Sequence, residues 1–286
     1  MAEKRGLTDL DTLNTLSAAD FVAALDGVFE HAPWVAARVA GDRPFPTVTA
    51  VHDALVQAVE MAPVEEIVLF LGAHPELSAR ALPPDLTAES TAEQTGLSMA
   101  GATGAADLPA LNHAYRDRFG IPFIVCVARH TPENILRVLT TRLDGNPAQE
   151  RAAALAEVRH ITRLRLVARL SGPAMPATIG HLSTHVLDTS TGRPAAGLVV
   201  TLQQEGRVLS TVTTDADGRT SPLLPPGPLR QGHHTLNFAT GAYFAGLANK
   251  TLYATIPIPF LITEPEGRYH IPLLVAPFGY STYRGS

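Results

Sequence analysis

The spacing of apolar residues changes once along this chain. The change falls at Ser171-Gly172-Pro173-Ala174-Met175-Pro176, a stretch with the composition of a linker. Before it, the apolar residues recur at helical spacing. Phe21, Leu25, Val28 and Phe29 follow that spacing, with Ser17 placed as an N-cap. Val51, Leu55 and Val59 repeat it, as do Leu108, Leu111 and Tyr115. Thr131-Pro132-Glu133 reads as an N-cap followed by proline at the first helical position. Residues 147–170, rich in Ala, Arg and Leu, form the longest expected helix. After the break, His181 to Asp188, Leu198 to Gln203 and Val208 to Thr214 alternate as strands do. Turn signals recur at Thr191-Gly192-Arg193-Pro194, Glu205-Gly206, Asp217-Gly218 and Pro225-Pro226-Gly227. Short strands at such intervals predict a β-sandwich of about 110 residues. The expected architecture is multidomain: an all-α domain over 1–170, a linker over 171–180 and an all-β sandwich over 181–286. No internal repeat is visible.

Composition narrows the function. The chain has 286 residues, long enough for two ordinary domains, and its 45% apolar and 17% charged residues are globular in character. A formal net charge of −5 argues against nucleic acid as a partner. The single cysteine, Cys126, permits no intrachain disulfide, which fits a reducing compartment. It lies in an apolar run, so it serves either buried packing or nucleophilic chemistry. Met1 to Asp11 carry charges without an apolar stretch and do not read as a secretory signal. No segment approaches the roughly 20 apolar residues of a membrane span. A soluble, intracellular protein without a membrane partner is expected.

Several residues after the break invite chemistry. His185 shares one side of its strand with Leu187. A lone strand histidine can be structural or functional. Arg219 leaves the Asp217-Gly218 turn at the mouth of a strand, where a surface arginine is also an ordinary occupant. Arg268-Tyr269-His270-Ile271-Pro272-Leu273-Leu274 follows, and then Tyr280-Ser281-Thr282-Tyr283-Arg284-Gly285-Ser286. Two tyrosines, an arginine, a glycine and two serines in seven positions suit a polar pocket better than a frayed tail. His233 and His234 are adjacent, point to opposite faces of a strand, and are read as surface or loop residues with no metal role.

"STHVLDTSTGRPAAGL", "TDADGR", "YHIPLL" and "YSTYRGS" occur in one order over about His181 to Ser286. Together they resemble the transthyretin-like 5-hydroxyisourate hydrolases. The resemblance implies a transthyretin-like sandwich and hydrolytic opening of 5-hydroxyisourate. His185 and His270 would position and deprotonate water. Arg219 would grip the planar heterocycle and stabilise the oxyanion. Ser286, with Tyr283, would complete the polar wall. The resemblance also implies a homotetramer whose subunits meet at the site. One departure stands out: the family usually has His-Tyr-His before the Pro-Leu-Leu segment, and Arg268 occupies the first of these positions.

Before the break, four stretches are notable: Phe29-Glu30-His31-Ala32-Pro33-Trp34, Leu71-Gly72-Ala73-His74-Pro75-Glu76, Ser90-Thr91-Ala92-Glu93-Gln94 and Phe119-Gly120-Ile121-Pro122-Phe123. Ser90-x-x-Glu93 has the form of a capping box, and a helix N-terminus also offers free N–H groups to an anion. Pro75 pushes His74 out of helical space, so the pair either ends a helix or fixes a site histidine. At about 100° per residue, Arg165 falls between Val158 and Ile161 on the apolar side of the last helix, unlike Arg163. An arginine there needs a partner or a ligand. This order over about residues 10–170 resembles the all-helical 2-oxo-4-hydroxy-4-carboxy-5-ureidoimidazoline (OHCU) decarboxylases. The resemblance implies that His74 orients or polarises the substrate at the reacting carbon, with handling of the proton as a further role open to it. Pro75, Ser90, Glu93, Gln94 and Arg165, with the run Phe123, Ile124, Val125, Cys126 and Val127, would hold the rest. No metal or organic cofactor is implied.

The two resemblances join in one sequence of steps, as in the bifunctional allantoin synthase-like fusions. Urate oxidation, by a functionally linked urate oxidase, gives 5-hydroxyisourate. The C-terminal domain would open it to OHCU, and the N-terminal domain would convert OHCU to (S)-allantoin. The rival expectation is that one domain alone is active and the other serves assembly, or ligand or partner binding as in transthyretin carriers. Arg169-Leu170 and His181-Leu182 do not match the spacing of the internal peroxisomal signal of plant fusions, so a cytoplasmic location is expected.

Overall fold

The computed structural model describes residues 7–77 and 107–285. It divides into two compact units, Met1–Thr178 and Ile179–Ser286. In the first, helices α1 (Leu10–Thr15), α2 (Ala18–Ala24), α3 (Pro33–Val39), α4 (Val48–Glu60), α5 (Val64–Gly72), α6 (Leu108–Phe119), α7 (Pro132–Leu143) and α8 (Pro147–Val167) share one apolar core. Their starts follow from local chemistry. The side chains of Ser17, Thr47 and Thr131 each accept the N–H three residues on, satisfying a donor that the helix cannot. Asn146 and Gln149 form a reciprocal capping box at the head of α8. Val51, Leu55 and Val59 of α4 are buried, as their spacing predicts.

Helix ends depart from the simple periodic reading. The run from Phe21 to Phe29 is not one helix. It stops at Ala24, Gly27 turns the chain with φ 77, and Val28 and Phe29 enter the core from that turn. The last helix ends at Val167 rather than 170, because strand β2 (Leu170–Ser171) pairs in parallel with β1 (Thr8–Asp9). The carbonyls of Pro173 and Ala174 then accept the N–H groups of Val48 and Thr49, at 3.1 and 3.2 Å. Residues 170–174 are thereby bound to the helical unit, where they cap α4. Among the described residues no helix is long and apolar enough to cross a membrane.

The second unit is built on two four-stranded sheets. One has the order β12-β11-β4-β5, from Gly279–Thr282 (β12), Leu273–Ala276 (β11), Val186–Asp188 (β4) and Arg193–Pro194 (β5). The other has the order β7-β6-β8-β9, from Arg207–Thr213 (β7), Val199–Gln204 (β6), Gly232–Phe238 (β8) and Ile256–Ile262 (β9). A short helix, α9 (Thr240–Gly246), follows β8. Alternation turns Val200, Leu202, Leu236 and Phe238 into a core shared with Val186, Leu273 and Val275.

The expected strand His181–Asp188 is two strands. Its first part, β3 (His181–Ser183), pairs in parallel with β10 (Arg268–His270), and β4 pairs in parallel with β11. Between them lies Pro272, which has no N–H to give to the ladder. The gap is bridged by Ile271 N–H to the Ser183 carbonyl (3.0 Å) and by Leu273 N–H to the His185 carbonyl (2.9 Å). His234 also departs from its surface reading. In β8 it faces inward, 1% exposed, and stacks on Phe260, while His233 faces out. The two-residue alternation that separates these rings also buries one of them.

Candidate active sites

In the β unit, backbone contacts at the ladder break gather His185, Arg219 and His270. Asp215 organises the turn that delivers Arg219. Its Oδ1 accepts the N–H groups of Asp217 and Arg219, both at 2.9 Å, and its own N–H donates to the Arg219 carbonyl at 2.7 Å. Gly218 holds φ 71, and its carbonyl accepts Val186 N–H at 2.8 Å. This brings Arg219 opposite His185 in an antiparallel bridge. His270 bridges in turn to Gly285, whose N–H donates to the His270 carbonyl at 2.9 Å. His185 and His270 are half-buried and Arg219 is exposed. Burial, then the Arg219 charge, then His185, hold the His270 pKa below its ordinary value. Tyr283 and Arg284 line a pocket of about 260 Å³ with His270, Tyr269, Ile258 and Phe260. Ser286 lies outside the described residues. Arg268 is exposed at the start of β10.

In the helical unit, His74 follows the end of α5 and precedes Pro75, which is half-buried. The ring is buried and stands edge-on to Phe70, with centroids 4.9 Å apart. Nδ1 lies 3.1 Å from the Phe70 carbonyl. A carbonyl only accepts, so Nδ1 carries the proton and Nε2 of the neutral ring offers a lone pair. Burial pushes the His74 pKa down to about 4, helped by Arg165 and His31 and opposed by the Phe70 carbonyl and Glu30. These groups therefore form one cluster. Arg165 is buried, and its Nη1 donates to Glu30 Oε2 at 2.7 Å and to the Gly27 carbonyl at 3.3 Å. Arg163 is half-buried and bonds His160 instead.

The run Phe123–Val127 is held as an ordered segment. Phe123, Ile124, Val125 and Cys126 are buried, and Val127 is half-buried. Arg142 Nη1 donates to the Ile124 carbonyl at 2.9 Å, and Cys126 N–H donates to Glu157 Oε2 at 2.8 Å. Arg142 is itself fixed by Glu150 and the Tyr115 hydroxyl. Burial works to raise the Glu157 pKa, but the His130 ring, 3.9 Å away, and the Cys126 N–H outweigh it and hold the carboxyl low. Ser90, Glu93 and Gln94 lie outside the described residues. Among the described residues no three His, Cys, Asp or Glu side chains gather as a metal site would need. Sequence reasoning gave Glu30 no part in the site. Its signal was its place beside His31 in a stretch already singled out, but its pairing with Arg165 spans 135 positions.

The fold and these clusters define a chain that joins an all-helical unit to a transthyretin-like sandwich. The model of the OHCU decarboxylase family matches residues 14–167, and that of the HIUase/Transthyretin family matches residues 182–285. The chain belongs to both families, one through each unit. The 5-hydroxyisourate hydrolase of Salmonella dublin is 40% identical over 134 residues, 45% of this chain and 98% of that protein. The "Uric acid degradation bifunctional protein TTL" of Arabidopsis thaliana is 30% identical over 272 residues, 75% of this chain and 83% of that protein. A solved structure of (S)-allantoin synthase aligns with a TM-score of 0.55 at 29% identity, covering 98% of this chain and 100% of that one.

Proposed function

We propose that this chain catalyses two consecutive steps of urate degradation. The β unit hydrolyses 5-hydroxyisourate to OHCU, and the helical unit decarboxylates OHCU to (S)-allantoin. The observation that carries the reading is the pair of family matches lying end to end along one chain, residues 14–167 and 182–285.

For hydrolysis, a neutral imidazole removes a proton from water, and the hydroxide adds to a ring carbonyl. Arg219 stabilises the oxyanion. The ring C–N bond then breaks, the nitrogen takes a proton, and a carboxylate is left on the opened product. The lowered pKa of His270 suits this role, because it keeps the ring neutral near pH 7. Tyr283 and Ser286 complete the substrate wall.

For decarboxylation, the bond to the carboxyl carbon breaks and carbon dioxide leaves. The electron pair spreads into the adjacent carbonyl until the carbon is protonated on one face. His74 orients the substrate by accepting a hydrogen bond at Nε2. With its proton fixed on Nδ1 and its pKa near 4, Nε2 has no proton to give at neutral pH. Arg165 faces the anion with its charge balanced by Glu30. Pro75, Ser90, Glu93, Gln94 and the backbone of Phe123–Val127 hold the remainder. In this reading the protein is a cytoplasmic homotetramer assembled through the β unit and fed by a urate oxidase.

The test is absorbance spectroscopy on urate oxidised in the presence of the full-length chain. Both intermediates should vanish much faster than without it. Unchanged hydroxyisourate decay would remove the hydrolase assignment. Rapid hydroxyisourate loss with persistent OHCU would leave the β unit as the active part.

A further inference from the structure

Ser183 and His270 stand opposite one another on adjacent parallel strands. In the register of β3 and β10, Ser183 is the residue paired with His270. Ser183 Oγ lies 2.9 Å from His270 Nδ1. Ser183 is also the last residue of β3 before the ladder breaks at Pro272, two positions from His185. A hydroxyl oxygen can accept, and with Ser183 Oγ as acceptor the ring proton sits on Nδ1. Gly285 closes against the ring from another direction. A Cβ added there would lie 2.3 Å from His270 Cδ2, so only a glycine backbone fits. The ring is thus held at Nδ1 and packed against main chain. Nε2 is its remaining hydrogen-bonding atom.

We propose that Ser183 is a positioning residue of the hydrolytic site, whose hydroxyl accepts the Nδ1 proton and leaves Nε2 to water as a lone pair. The role rests on the hydrolase reading above. It parallels the way a third group orients the base in other hydrolytic constellations. Ser183 does not touch the reacting atoms. It selects the tautomer in which His270 can act as a base.

The experiment uses the full-length protein with Ser183→Ala, Ser183→Thr, His270→Ala and His185→Ala. Steady-state hydrolysis, thermal unfolding and 15N NMR of the His270 ring are read together. Ser183→Ala should lower kcat about ten- to hundredfold, part of what a general base provides. KM and the unfolding temperature should stay near wild type, and the ring should lose its Nδ1–H preference. Ser183→Thr, which keeps the hydroxyl, should restore most of kcat and the tautomer. The proposal is overturned if Ser183→Ala keeps wild-type kcat and ring signals while His270→Ala abolishes hydrolysis. It is equally overturned if kcat falls only in step with a lower unfolding temperature while the tautomer stays put. If His270→Ala and His185→Ala both hydrolyse at the wild-type rate, the proposal is overturned with the histidine assignment, whereas a wild-type protein that leaves hydroxyisourate decay unchanged removes the hydrolase reading itself.

Discussion

Glu30 and Gly285 show what single residues contribute here. Arg165 sits in dry surroundings, and a buried guanidinium without a carboxylate is costly. Glu30→Ala should therefore destabilise the helical unit by about 3–5 kcal/mol, the usual cost of removing one partner of a buried pair. Urea denaturation checks this, and an unchanged midpoint would contradict it. The same variant should slow decarboxylation and spare hydrolysis. Gly285→Ala should do the reverse, because its methyl group would strike His270. Separate rate measurements of the two steps distinguish these outcomes. Burial of Arg165 was legible in the sequence, since its angular position on the helix is fixed by neighbours a few residues away. Its partner was not, because Glu30 meets it only through tertiary folding. His234 shows the converse limit: alternation put the two histidines on opposite faces, but both were read as surface or loop residues, since which face is buried depends on where the sheet packs.

At the scale of elements, α8 carries much of the helical unit. Glu150 on its first turn fixes Arg142, Glu157 holds Cys126, and Arg165 near its end meets Glu30. The capping box at Asn146 starts that array, so Asn146→Ala should cost about 1 kcal/mol in chemical denaturation. In the β unit, the Asp215–Arg219 turn is the equivalent device. Gly218 has φ 71, and a Cβ there would lie 2.3 Å from the Val186 carbonyl. Gly218→Ala should separate Arg219 from His185 and lower hydrolysis far more than decarboxylation, and equal rates in variant and wild type would contradict it. Helix starts were readable because caps are local hydrogen bonds. Ends were less so: the stop after Ala24 is set by Gly27, and the stop at Val167 by pairing with Thr8–Asp9 from the far end of the unit. The break between β3 and β4 was hidden for the same reason, since the proline that causes it lies in the partner strand.

For the whole molecule, the change from helical to alternating period divides the chain into its two units, because each period buries a different geometry of face. Acid should act on them unequally. Burial above all holds His52, His74 and His160 at pKa values of about 4, against about 6.5 when exposed. The unfolded chain therefore binds more protons than the folded one between those values. Stability of the helical unit should be steady above about pH 6.5 and fall as pH drops toward 4. Thermal scans across that range test this, and a flat profile would contradict it. The central claim, two sites acting in series on one chain, is tested most directly by circular dichroism during urate oxidation. His74→Ala and His185→Ala are assayed separately and then mixed. Each alone should fail to give rapid, optically active allantoin, and the mixture should restore it, since each protein then supplies the step the other lacks. Rapid optically active product from either variant alone would contradict the account.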